Sequence, residues 1–311
     1  MKVLVTGGDG FIGSWLLREL RHMEDLRSLG LDLQISLWNK DLKIRVLDLC
    51  DRFVIEALLA GERPDVVVLN GAIKGLDACE RNPQAISVNV FSQAPFLEYA
   101  LRNGTHVIFI SSDMVFGGCG KPPFAEGDSV AAGNAYGAMK IAGEQLVRMM
   151  PLWAIVRTAL VYGPMGATEH SRLLPTLKCE TLTNQSHLIH WSVARSRCGL
   201  SVPLAENILC TPTYIRDLTQ GLCRIISTRA KGVYHCSGGD RVSRFDMGRK
   251  ATTYGGRPEH VVPFQADANE LRPMDVSLDN RQTVAALGMK MTSIDDGLRL
   301  SLSDRIGADG D

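Results

Sequence analysis

A glycine-rich segment near the start of the chain separates an apolar run from an amphipathic one. The apolar run Lys2–Thr6 has the composition of a buried strand, and residues 11–23 carry apolar side chains at helical spacing. Gly7, Gly10 and Gly13 lie between them in the pattern G-x-x-G-x-x-G. Such glycines let the chain turn tightly, bring its backbone close to a pyrophosphate, and pack a helix closely on a strand. We therefore expect a dinucleotide-binding strand–loop–helix unit rather than an ordinary glycine-rich turn.

Strand-like and helix-like segments alternate through the first half of the 311-residue chain. Further strands are expected at 33–38, 43–47, 66–69, 106–110 and 153–157, and further helices at 51–60, 84–103 and 134–150. Asp51 is expected to cap its helix, with Phe53, Val54, Ala57 and Leu58 facing inward. This alternation predicts an α/β fold with a doubly wound parallel sheet, whose ligands bind at the carboxyl ends of the strands.

The alternation weakens after about residue 163, which indicates a second, smaller domain. We expect residues 1–162 to form a Rossmann-type nucleotide-binding domain, with 208–231 returning to it. Residues 163–207 and 232–311 would form a partly interleaved substrate-binding domain.

Residues 170–200 are rich in basic side chains. They hold Arg172, Lys178, Arg195 and Arg197 against one acid, Glu180. This stretch either clamps the phosphates of a nucleotide or is a solvated loop surface. Its histidines, at 170, 187 and 190, lack the spacing of metal ligands, so no metal is expected.

Composition excludes several classes of function. The chain has 34 basic and 34 acidic residues, whereas proteins that bind nucleic acid usually carry a basic excess. No apolar run approaches the roughly 20 residues of a membrane helix, and the first residues turn to glycine too early for a signal peptide. The eight cysteines form no CxxC pair and are expected to be reduced thiols. We expect a cytoplasmic protein without nucleic-acid or membrane partners.

Two polar groups of residues carry the candidate chemistry. Ser112 and Asp113 follow the strand expected at 106–110, where a doubly wound sheet presents its site, although a hydroxyl there also suits a turn. Tyr136 and Lys140 are four residues apart on an expected helix and therefore share a face. A nearby ammonium favours the phenolate and lowers the pKa of a tyrosine, which enables proton transfer near neutral pH.

These segments, in this order, resemble the extended short-chain dehydrogenase/reductase family, and within it the dTDP-4-dehydrorhamnose reductase branch. The resemblance covers nearly the whole chain. It rests on TGGDGFIG at 6–13, ISSDMVFGG at 110–118, YGAMK at 136–140, VRTALVYGP at 156–164, TPTYIRDL at 211–218, GVYHCSGG at 232–239 and LRPMDVSLDN at 271–280.

The resemblance implies an NADPH-dependent reductase of a dTDP-type, nucleotide-linked 4-keto-6-deoxysugar. Tyr136 would be the general acid, Lys140 would hold the nicotinamide ribose, and Ser112 would bridge Tyr136 and the substrate carbonyl. The cofactor would contact Thr6, Gly7, Gly10, Phe11, Ile12, Gly13, Asn39, Lys40, Asp48, Leu49, Asn70, Gly71, Ala72, Asn89 and Ser111, besides Tyr136 and Lys140. The substrate would contact Lys74, Asp113, Met114, Leu160, Tyr162 and Arg216.

Two of these positions depart from the family pattern. Met114 stands where the reductases usually carry an aromatic residue, and Leu160 stands where they often carry tryptophan. Both departures leave the identity of the sugar open. Asp113 is followed by methionine rather than by the glutamate of the dehydratases, which disfavours dehydration.

Charge favours one dinucleotide over the other. NAD-selective sites place an acid at the end of the second strand. Here the second strand is expected to end at Trp38, followed by Asn39 and Lys40, with no acid before Asp41. Lys40 suits a 2′-phosphate, unless it is a solvated loop lysine. We therefore expect NADP(H) rather than NAD(H).

Two other functions remain open. The segments 81–84 and 235–239 also resemble the regulatory beta subunit of methionine adenosyltransferase, a cofactor-binding protein with little catalysis. The same Ser–Tyr–Lys set also serves epimerases of nucleotide sugars that hold NAD tightly. The family resemblance further implies a homodimer through the helices around 85–102 and 134–150.

Overall fold

A computed structural model describes residues 1–117, 120–165, 187–267 and 271–303. Its strands, in chain order, are β1 (Lys2–Thr6), β2 (Arg27–Asp32), β3 (Ile44–Val46), β4 (Val66–Leu69), β5 (His106–Ser112), β6 (Trp153–Thr158), β7 (Val161–Tyr162), β8 (Val202–Ala205), β9 (Leu209–Cys210), β10 (Thr213–Tyr214), β11 (Gly232–His235), β12 (Val242–Ser243) and β13 (Val261–Phe264). The described part contains one seven-stranded parallel sheet in the order β11-β6-β5-β4-β1-β2-β3. This is the doubly wound, Rossmann-type sheet that the alternating segments predict.

The described helices cover both faces of this sheet and also pack against β8 and β13 outside it. They are α1 (Phe11–Leu20), α2 (Arg52–Glu62), α3 (Leu76–Arg81), α4 (Gln84–Asn89), α5 (Ala94–Asn103), α6 (Ala135–Arg148), α7 (Leu188–Arg197), α8 (Ile215–Thr228), α9 (Arg244–Thr253), α10 (Arg281–Leu287) and α11 (Ile294–Ser303). Successive β4 side chains point to opposite faces: Val66 and Val68 join the core under α1, whereas Val67 and Leu69 join the core under α2. Burial on both faces explains why this strand is wholly apolar.

The elements nearest the glycine-rich segment are confirmed. β1 and β4 have the predicted bounds, and α1 begins at Phe11 as expected. β5 is two residues longer than predicted and ends at Ser112. Ser112 is therefore the last residue of a buried central strand.

The second strand was predicted in the wrong place. β2 is Arg27–Asp32, paired in register with β1, whereas 33–38 was expected. The apolar side chains that suggested a strand there, Leu33 and Leu37, are exposed. The glycine within β2, Gly30, lies so close to α1 that a Cβ would come 2.7 Å from Leu17 Cδ1. Close packing against α1, rather than apolar composition, therefore defines this strand.

The helix α2 confirms one prediction and overturns another. The Asp51 side chain accepts a hydrogen bond from Val54 N at 3.1 Å, which is the expected N-cap. The predicted inward face is right only for Leu58, which is buried. Phe53, Val54 and Ala57 are exposed, and Ile55 and Leu59 are buried in their place.

The single helix expected over 84–103 is two helices. α4 ends at Asn89, a short 3-10 turn follows over Phe91–Gln93, and α5 begins at Ala94. Pro95 lies in the first turn of α5, where its missing N–H costs nothing, whereas in the middle of one long helix it would remove a hydrogen bond. The interruption leaves Asn89 at a helix end.

The second half of the chain both extends the sheet and builds smaller units beside it. α8 packs against α1, and β11 pairs with β6 as the outer strand of the central sheet, although 232–235 was assigned to the second domain. β8 pairs with β13, β9 with β12 and β7 with β10. The remaining division into two domains stays a prediction.

The described helices include none that is both long enough and apolar enough to span a membrane.

Candidate functional site

The candidate site lies at the carboxyl ends of β1, β4 and β5, which are neighbours in the sheet. These strands end at Thr6, Leu69 and Ser112. Loops that leave one edge of a parallel sheet meet there, which is where doubly wound proteins bind ligands.

The glycine loop is closely packed at this edge. Gly7 has φ +68°, a backbone conformation that side chains disfavour. A Cβ on Gly13 would lie 2.0 Å from Gly7 O, so only glycine allows α1 to start this close to the loop. Gly10 precedes the first turn of α1, with Phe11 and Ile12 directly behind it. The N-terminus of α1, with its unpaired N–H groups, therefore opens at this edge as an anion site.

Thr6 joins the loops after β1 and β4. Its Oγ1 accepts hydrogen bonds from Asn70 N at 2.9 Å and from Gly71 N at 2.8 Å, and Asn70 Nδ2 donates to Gly7 O at 3.2 Å. A Cβ on Gly71 would lie 2.6 Å from Leu49 Cδ1. The structure thus brings five predicted cofactor residues into one contiguous cradle.

Asn89 positions the loop that continues from this cradle. Its side chain accepts from Ile73 N at 2.8 Å and donates to Ile73 O at 3.0 Å. Asn89 is buried, so it holds the backbone after Ala72 rather than facing the open edge. Asp48, also predicted at the cofactor, is exposed and accepts from Cys50 N.

The end of β2 overturns the premise of the expected cofactor preference. β2 ends at an acid, Asp32, whose Oδ2 accepts from Asp9 N in the glycine loop at 2.9 Å. A second carboxylate, that of Asp9, accepts from Ser36 N and from Asn39 Nδ2. Asn39 is buried against Asp9, and Lys40 is exposed. The statement that no acid ends the second strand was therefore wrong, and an acid at this point is typical of NAD sites.

Ser112, Asp113 and Tyr136 meet beyond the end of β5. Ser112 Oγ donates to Asp113 Oδ1 at 2.7 Å and accepts from Met114 N at 3.2 Å, and the Asp113 carboxylate is close enough to Tyr136 to act on it electrostatically. Asn134 caps α6 by accepting from Gly137 N at 2.8 Å. A Cβ on Gly137 would lie 2.4 Å from Met114 O, so this glycine allows the start of α6, and with it Tyr136, to reach the strand end.

The pKa of Tyr136 is raised, not lowered, and lies well above its usual range. Burial is the main cause, and the nearby Asp113 carboxylate adds to it. Lys140 Nζ lies 5.7 Å from the centre of the Tyr136 ring and donates to Ile110 O at 2.8 Å. The expected lowering of the Tyr136 pKa by Lys140 is therefore not what this arrangement produces.

Lys140 is buried beside the strand end. Burial, followed by the charge of the exposed Lys74, lowers its pKa to about 8, and Glu144 on the same helix opposes the shift. At neutral pH its ammonium group therefore remains largely charged. A charged, buried amine held by a backbone carbonyl is suited to bind hydroxyl groups of a sugar ring.

Apolar side chains line the space beside Tyr136. Met114 and Leu160, both predicted at the substrate, pack with Tyr136, Cys210 and Val276 in one cluster. The sequence analysis did not identify the last two as site residues, because each lies in a short segment far along the chain.

Two arginines that the sequence analysis missed also reach this end of the site. Arg244 and Arg272 both act electrostatically on Asp113 and on Cys210. Arg272 lines a cavity of about 390 Å³ together with Phe116, Phe124 and Met274. A cavity of this size with a guanidinium group in its wall can hold an anionic small molecule.

Three predicted residues lie elsewhere. Ser111 donates to Glu144 Oε1 at 2.7 Å in the protein interior. Tyr162 is buried in the core, with its ring centre 5.7 Å from that of Tyr214. The guanidinium of Arg216 lies 5.5 Å from the Trp15 ring centre, on the packed pair α1 and α8.

Part of the basic stretch 170–200 is described. Arg195 donates to Ser201 O, Arg197 donates to Gly255 O, and His190 bonds Gly163 O at 2.9 Å. Among the described residues of this stretch, Arg195, Arg197 and His190 therefore bond backbone carbonyls of the protein, and these bonds do not form a phosphate site. The other residues of that prediction, His170, Arg172, Lys178 and Glu180, lie outside the described residues.

Sequence comparison finds one matching family. The family profile described as "RmlD substrate binding domain" matches residues 1–305. A dTDP-4-keto-6-deoxy-D-glucose reductase of Streptomyces niveus is 26% identical over 277 residues, which are 87% of this chain and 85% of that protein. The methionine adenosyltransferase 2 subunit beta of Pongo abelii is also 26% identical, over 89% of this chain and 80% of that protein.

Solved structures share the fold. A dTDP-4-dehydrorhamnose reductase from Bacillus anthracis in complex with NADP has a TM-score of 0.77 at 23% identity, covering 96% of this chain and 98% of that one. A UDP-glucose 4-epimerase from Thermus thermophilus in complex with NAD has a TM-score of 0.82 at 21% identity, covering 99% and 100%.

Proposed function

Because the chain belongs to the family of the RmlD substrate binding domain, we propose that it reduces the ketone of a nucleotide-linked 4-keto-6-deoxysugar, with Tyr136 as the general acid. The chain is an NAD(P)-dependent oxidoreductase of this family. One observation carries the proposal: Ser112, Tyr136 and Lys140 converge at the end of β5, beside the glycine loop.

The cradle around Thr6 fits a dinucleotide. Side chains would fill it at Gly7, Gly13 and Gly71, and its backbone is held by the Thr6 and Asn70 hydrogen bonds. The start of α1 offers N–H groups to a pyrophosphate. When bound, the reduced nicotinamide would supply a hydride to the ketone carbon.

The chain's own residues would handle the proton and the orientation. Tyr136 would donate its phenol proton to the ketone oxygen, a role worth roughly 10²–10⁴-fold in rate. Lys140 would bind the ribose next to the nicotinamide, since its ammonium is buried and fixed by Ile110 O. Met114 and Leu160 would contact the deoxysugar ring with apolar surface.

The nucleotide part of the substrate would be recognised by charge. Arg272 in the wall of the 390 Å³ cavity and Arg244, which acts on the same Asp113 carboxylate, are suited to hold the diphosphate, because guanidinium groups bind phosphate oxygens in pairs. The Asp275 carboxylate in the same wall is paired with Arg241. The alternative of a phosphate clamp within residues 170–200 stays a prediction, because Arg172 and Lys178 lie outside the described residues.

We infer that the dinucleotide is NAD(H) rather than the NADP(H) expected from the sequence. Asp32 ends β2, so its carboxylate would repel a 2′-phosphate, whereas a ribose hydroxyl would find an acceptor. The Asp9 carboxylate, buried against Ser36 and Asn39, adds a second negative charge nearby. Fluorescence titration should give tighter binding of NADH than of NADPH. Asp32→Ser should weaken the binding of NADH and reduce the difference between the NADH and NADPH affinities. Equal affinities for the two dinucleotides in the unchanged protein would contradict the inference.

Two finer proposals concern organisation. The described segments beyond 163, apart from α8 and β11, would form the substrate-binding part. A homodimer through the helices around 85–102 and 134–150, which are α4, α5 and α6, is supported by exposed apolar side chains on them: Ile86, Leu101 and Leu146. Sedimentation of the purified chain tests the dimer.

The test of the reaction is consumption of reduced dinucleotide, measured by its near-ultraviolet absorbance, with dTDP-4-keto-6-deoxyglucose. Turnover should fall at least about a hundredfold in Tyr136→Phe. The matched control is Tyr254→Phe, which removes the same hydroxyl from an exposed tyrosine at the end of α9 and should leave turnover unchanged. Full activity of Tyr136→Phe would refute the mechanism.

A regulatory role is the second candidate, because the beta subunit of methionine adenosyltransferase matches 89% of the chain. It predicts a stoichiometric complex with a methionine adenosyltransferase catalytic subunit and no turnover of any keto-sugar. An epimerase, the third candidate, predicts dinucleotide retained through purification.

A further inference from the structure

The carboxylate of Asp9, in the glycine loop, is held by hydrogen-bond donors that would equally suit another oxyanion. Its Oδ1 accepts from Ser36 N at 2.9 Å, from Ser36 Oγ at 2.7 Å and from Asn39 Nδ2 at 2.8 Å. Converging N–H and O–H donors of this kind also bind phosphate oxygens. We call these three donor groups of Ser36 and Asn39 the oxyanion cradle. The chain's own carboxylate fills it.

Contacts other than those to Asp9 hold the oxyanion cradle in place. Arg18 Nη2 donates to Asn39 Oδ1 at 3.1 Å, which turns the Asn39 amide so that its N–H groups point at Asp9. Arg18 also donates to Trp38 O at 3.0 Å, and its guanidinium lies 5.4 Å from the centre of the Trp38 ring. Asn39 N donates to Ser36 O at 3.1 Å. The cradle should therefore keep its shape when the Asp9 side chain is removed.

The oxyanion cradle lies beside the point where the two dinucleotides differ. In doubly wound proteins the acid at the end of the second strand binds the ribose of the adenosine, and NADP carries its extra phosphate on the 2′-oxygen of that ribose. Asp32 is this acid, and its Oδ2 accepts from Asp9 N at 2.9 Å. Asp9 is therefore one hydrogen bond away from the residue that would meet the ribose.

We propose that the oxyanion cradle is a 2′-phosphate site that the side chain of Asp9 keeps filled. Asp9 would exclude NADP(H) by occupying the donors that a 2′-phosphate needs, whereas Asp32 would act by repulsion. This inference rests on the proposed binding of a dinucleotide. It makes Asp9 a second specificity-determining residue, and one that acts by occupancy.

A 2′-phosphate would not displace Asp9 easily. The Asp9 residue is 7% exposed, and its partner Asn39 is 2% exposed. Moving the carboxylate away would break three hydrogen bonds to a charged group, and such bonds contribute more than those between neutral groups. The incoming phosphate would also bring its negative charge close to the carboxylates of Asp9 and Asp32. The unchanged protein should therefore discriminate against the 2′-phosphate.

The test uses two probes, adenosine 5′-monophosphate and adenosine 2′,5′-bisphosphate, which differ only in the 2′-phosphate. Isothermal titration calorimetry at fixed salt measures the affinity of each. The background variant is Asp32→Ser, in which the repulsion from that acid is absent while the cradle stays filled. Adding Asp9→Ala should raise the affinity for the bisphosphate relative to the monophosphate at least about tenfold, which corresponds to one charge-assisted hydrogen bond.

Asp9→Asn in the same background separates occupancy from charge. Its amide oxygen still accepts from Ser36 and Asn39, so the cradle stays filled although the negative charge is gone. The ratio of the two affinities should rise at most about threefold, because water and salt screen a single charge near the surface. A rise equal to that of Asp9→Ala would show that Asp9 acts by charge alone and would overturn the proposal. This variant keeps the hydrogen bonds and so tests the proposal even if Asp9→Ala does not fold.

The donors themselves are tested by removing them from the variant that carries Asp32→Ser and Asp9→Ala. Ser36→Ala removes one hydroxyl donor and Asn39→Ala removes the amide donor, so each should lose part of the gain in bisphosphate affinity. A gain that survives both changes would place the 2′-phosphate elsewhere and overturn the proposal.

The outcomes separate the oxyanion cradle from the reaction, because the probes carry neither nicotinamide nor sugar. If the monophosphate binds but Asp9→Ala gives no gain, the cradle proposal is wrong and dinucleotide binding stands. If neither probe binds to variants that still unfold cooperatively in urea, the cradle and the proposed dinucleotide site are both wrong. A gain in Asp9→Ala, in a protein that turns over no keto-sugar, would support the cradle and refute the proposed reduction.

Discussion

The buried pair of Glu144 and Arg157 allows a quantitative test of what stabilises the sheet edge behind the site. Arg157 Nε and Nη2 donate to the two carboxylate oxygens of Glu144 at 2.9 and 2.8 Å. Both side chains are at most 1% exposed. Ser111 also donates to Glu144, and His235 Nε2 lies 3.3 Å from Arg157 Nη1. The pair thus joins β5, β6, α6 and β11.

Removing one partner leaves a charge without a counter-charge in the interior. Glu144→Gln keeps the shape of the side chain but removes its charge, and such a loss costs roughly 3–5 kcal/mol. Arg157→Met should cost less than this, because Glu144 keeps a second counter-charge in the partly exposed Arg148, whose Nη2 lies 3.6 Å from Glu144 Oε2. A domain is stable by only about 5–15 kcal/mol, so either single variant should lower the urea midpoint markedly.

The double variant Glu144→Leu with Arg157→Met removes both charges. It still leaves Ser111 and His235 without their partners, at roughly 1 kcal/mol each. We therefore expect the double variant to lose about 1–3 kcal/mol, well below the sum of the single losses. With Glu144→Leu measured as a single variant as well, the difference gives the coupling energy of the pair.

Urea unfolding at about pH 7.5, followed by circular dichroism and tryptophan fluorescence, measures these free energies. Arg157 holds the pKa of Glu144 below its usual range in spite of burial, so its contribution is complete above about pH 5 and is lost only in acid. Glu98→Gln is the control, because its pair with Arg52 is exposed to screening solvent and should matter little. If the double variant loses the full sum, or if each single loss is below about 1 kcal/mol, this reasoning is wrong.

Two further predictions concern other parts of the fold. Burial lowers the pKa of His106 to about 4, so the unfolded chain binds its proton first as pH falls below 6.5, and stability decreases between pH 6.5 and 4. From pH 7 to pH 5 the free energy of unfolding should fall by about 2 kcal/mol because of His106. Urea unfolding of His106→Phe should not show this fall. An equal loss of stability with pH in the variant and the unchanged protein would contradict the assignment. Gly13→Ala should weaken NADH binding at least tenfold in fluorescence titration, since its Cβ would lie 2.0 Å from Gly7 O. Gly61→Ala, with no atom within 4 Å of its Cβ, should bind NADH normally, and equal binding by both variants would remove the steric argument.

Local sequence patterns were sufficient to predict most strands of the sheet and the polar residues after β1 and β5. Lys2–Thr6 and Val66–Leu69 are apolar because both faces of the sheet are covered, so their composition alone predicts them. The glycine spacing at 7–13 and the Asp51 cap depend on backbone geometry within a few residues. Such short-range requirements restrict the residue types at these positions, so the sequence alone predicts them.

Other features depend on contacts between distant segments. Residues 27–32 form β2 because they pair with β1 and pack against Leu17, although 33–38 is the more apolar segment. This shift of the strand end removed the reason for expecting NADP(H), since it places Asp32 beside the glycine loop. A local sequence pattern does not indicate which of two neighbouring segments pairs with the sheet.

The candidate site shows the same division. The sequence alone determined that a hydroxyl would end β5 and that Tyr136 and Lys140 would share a helix face, because strand ends and helical spacing follow from neighbouring residues. Only the tertiary structure decided that Ser112 donates to Asp113, that burial raises the pKa of Tyr136, and that Arg272 faces the same space. Burial and long-range approach set hydrogen-bond direction and pKa, and both depend on residues far apart in the chain.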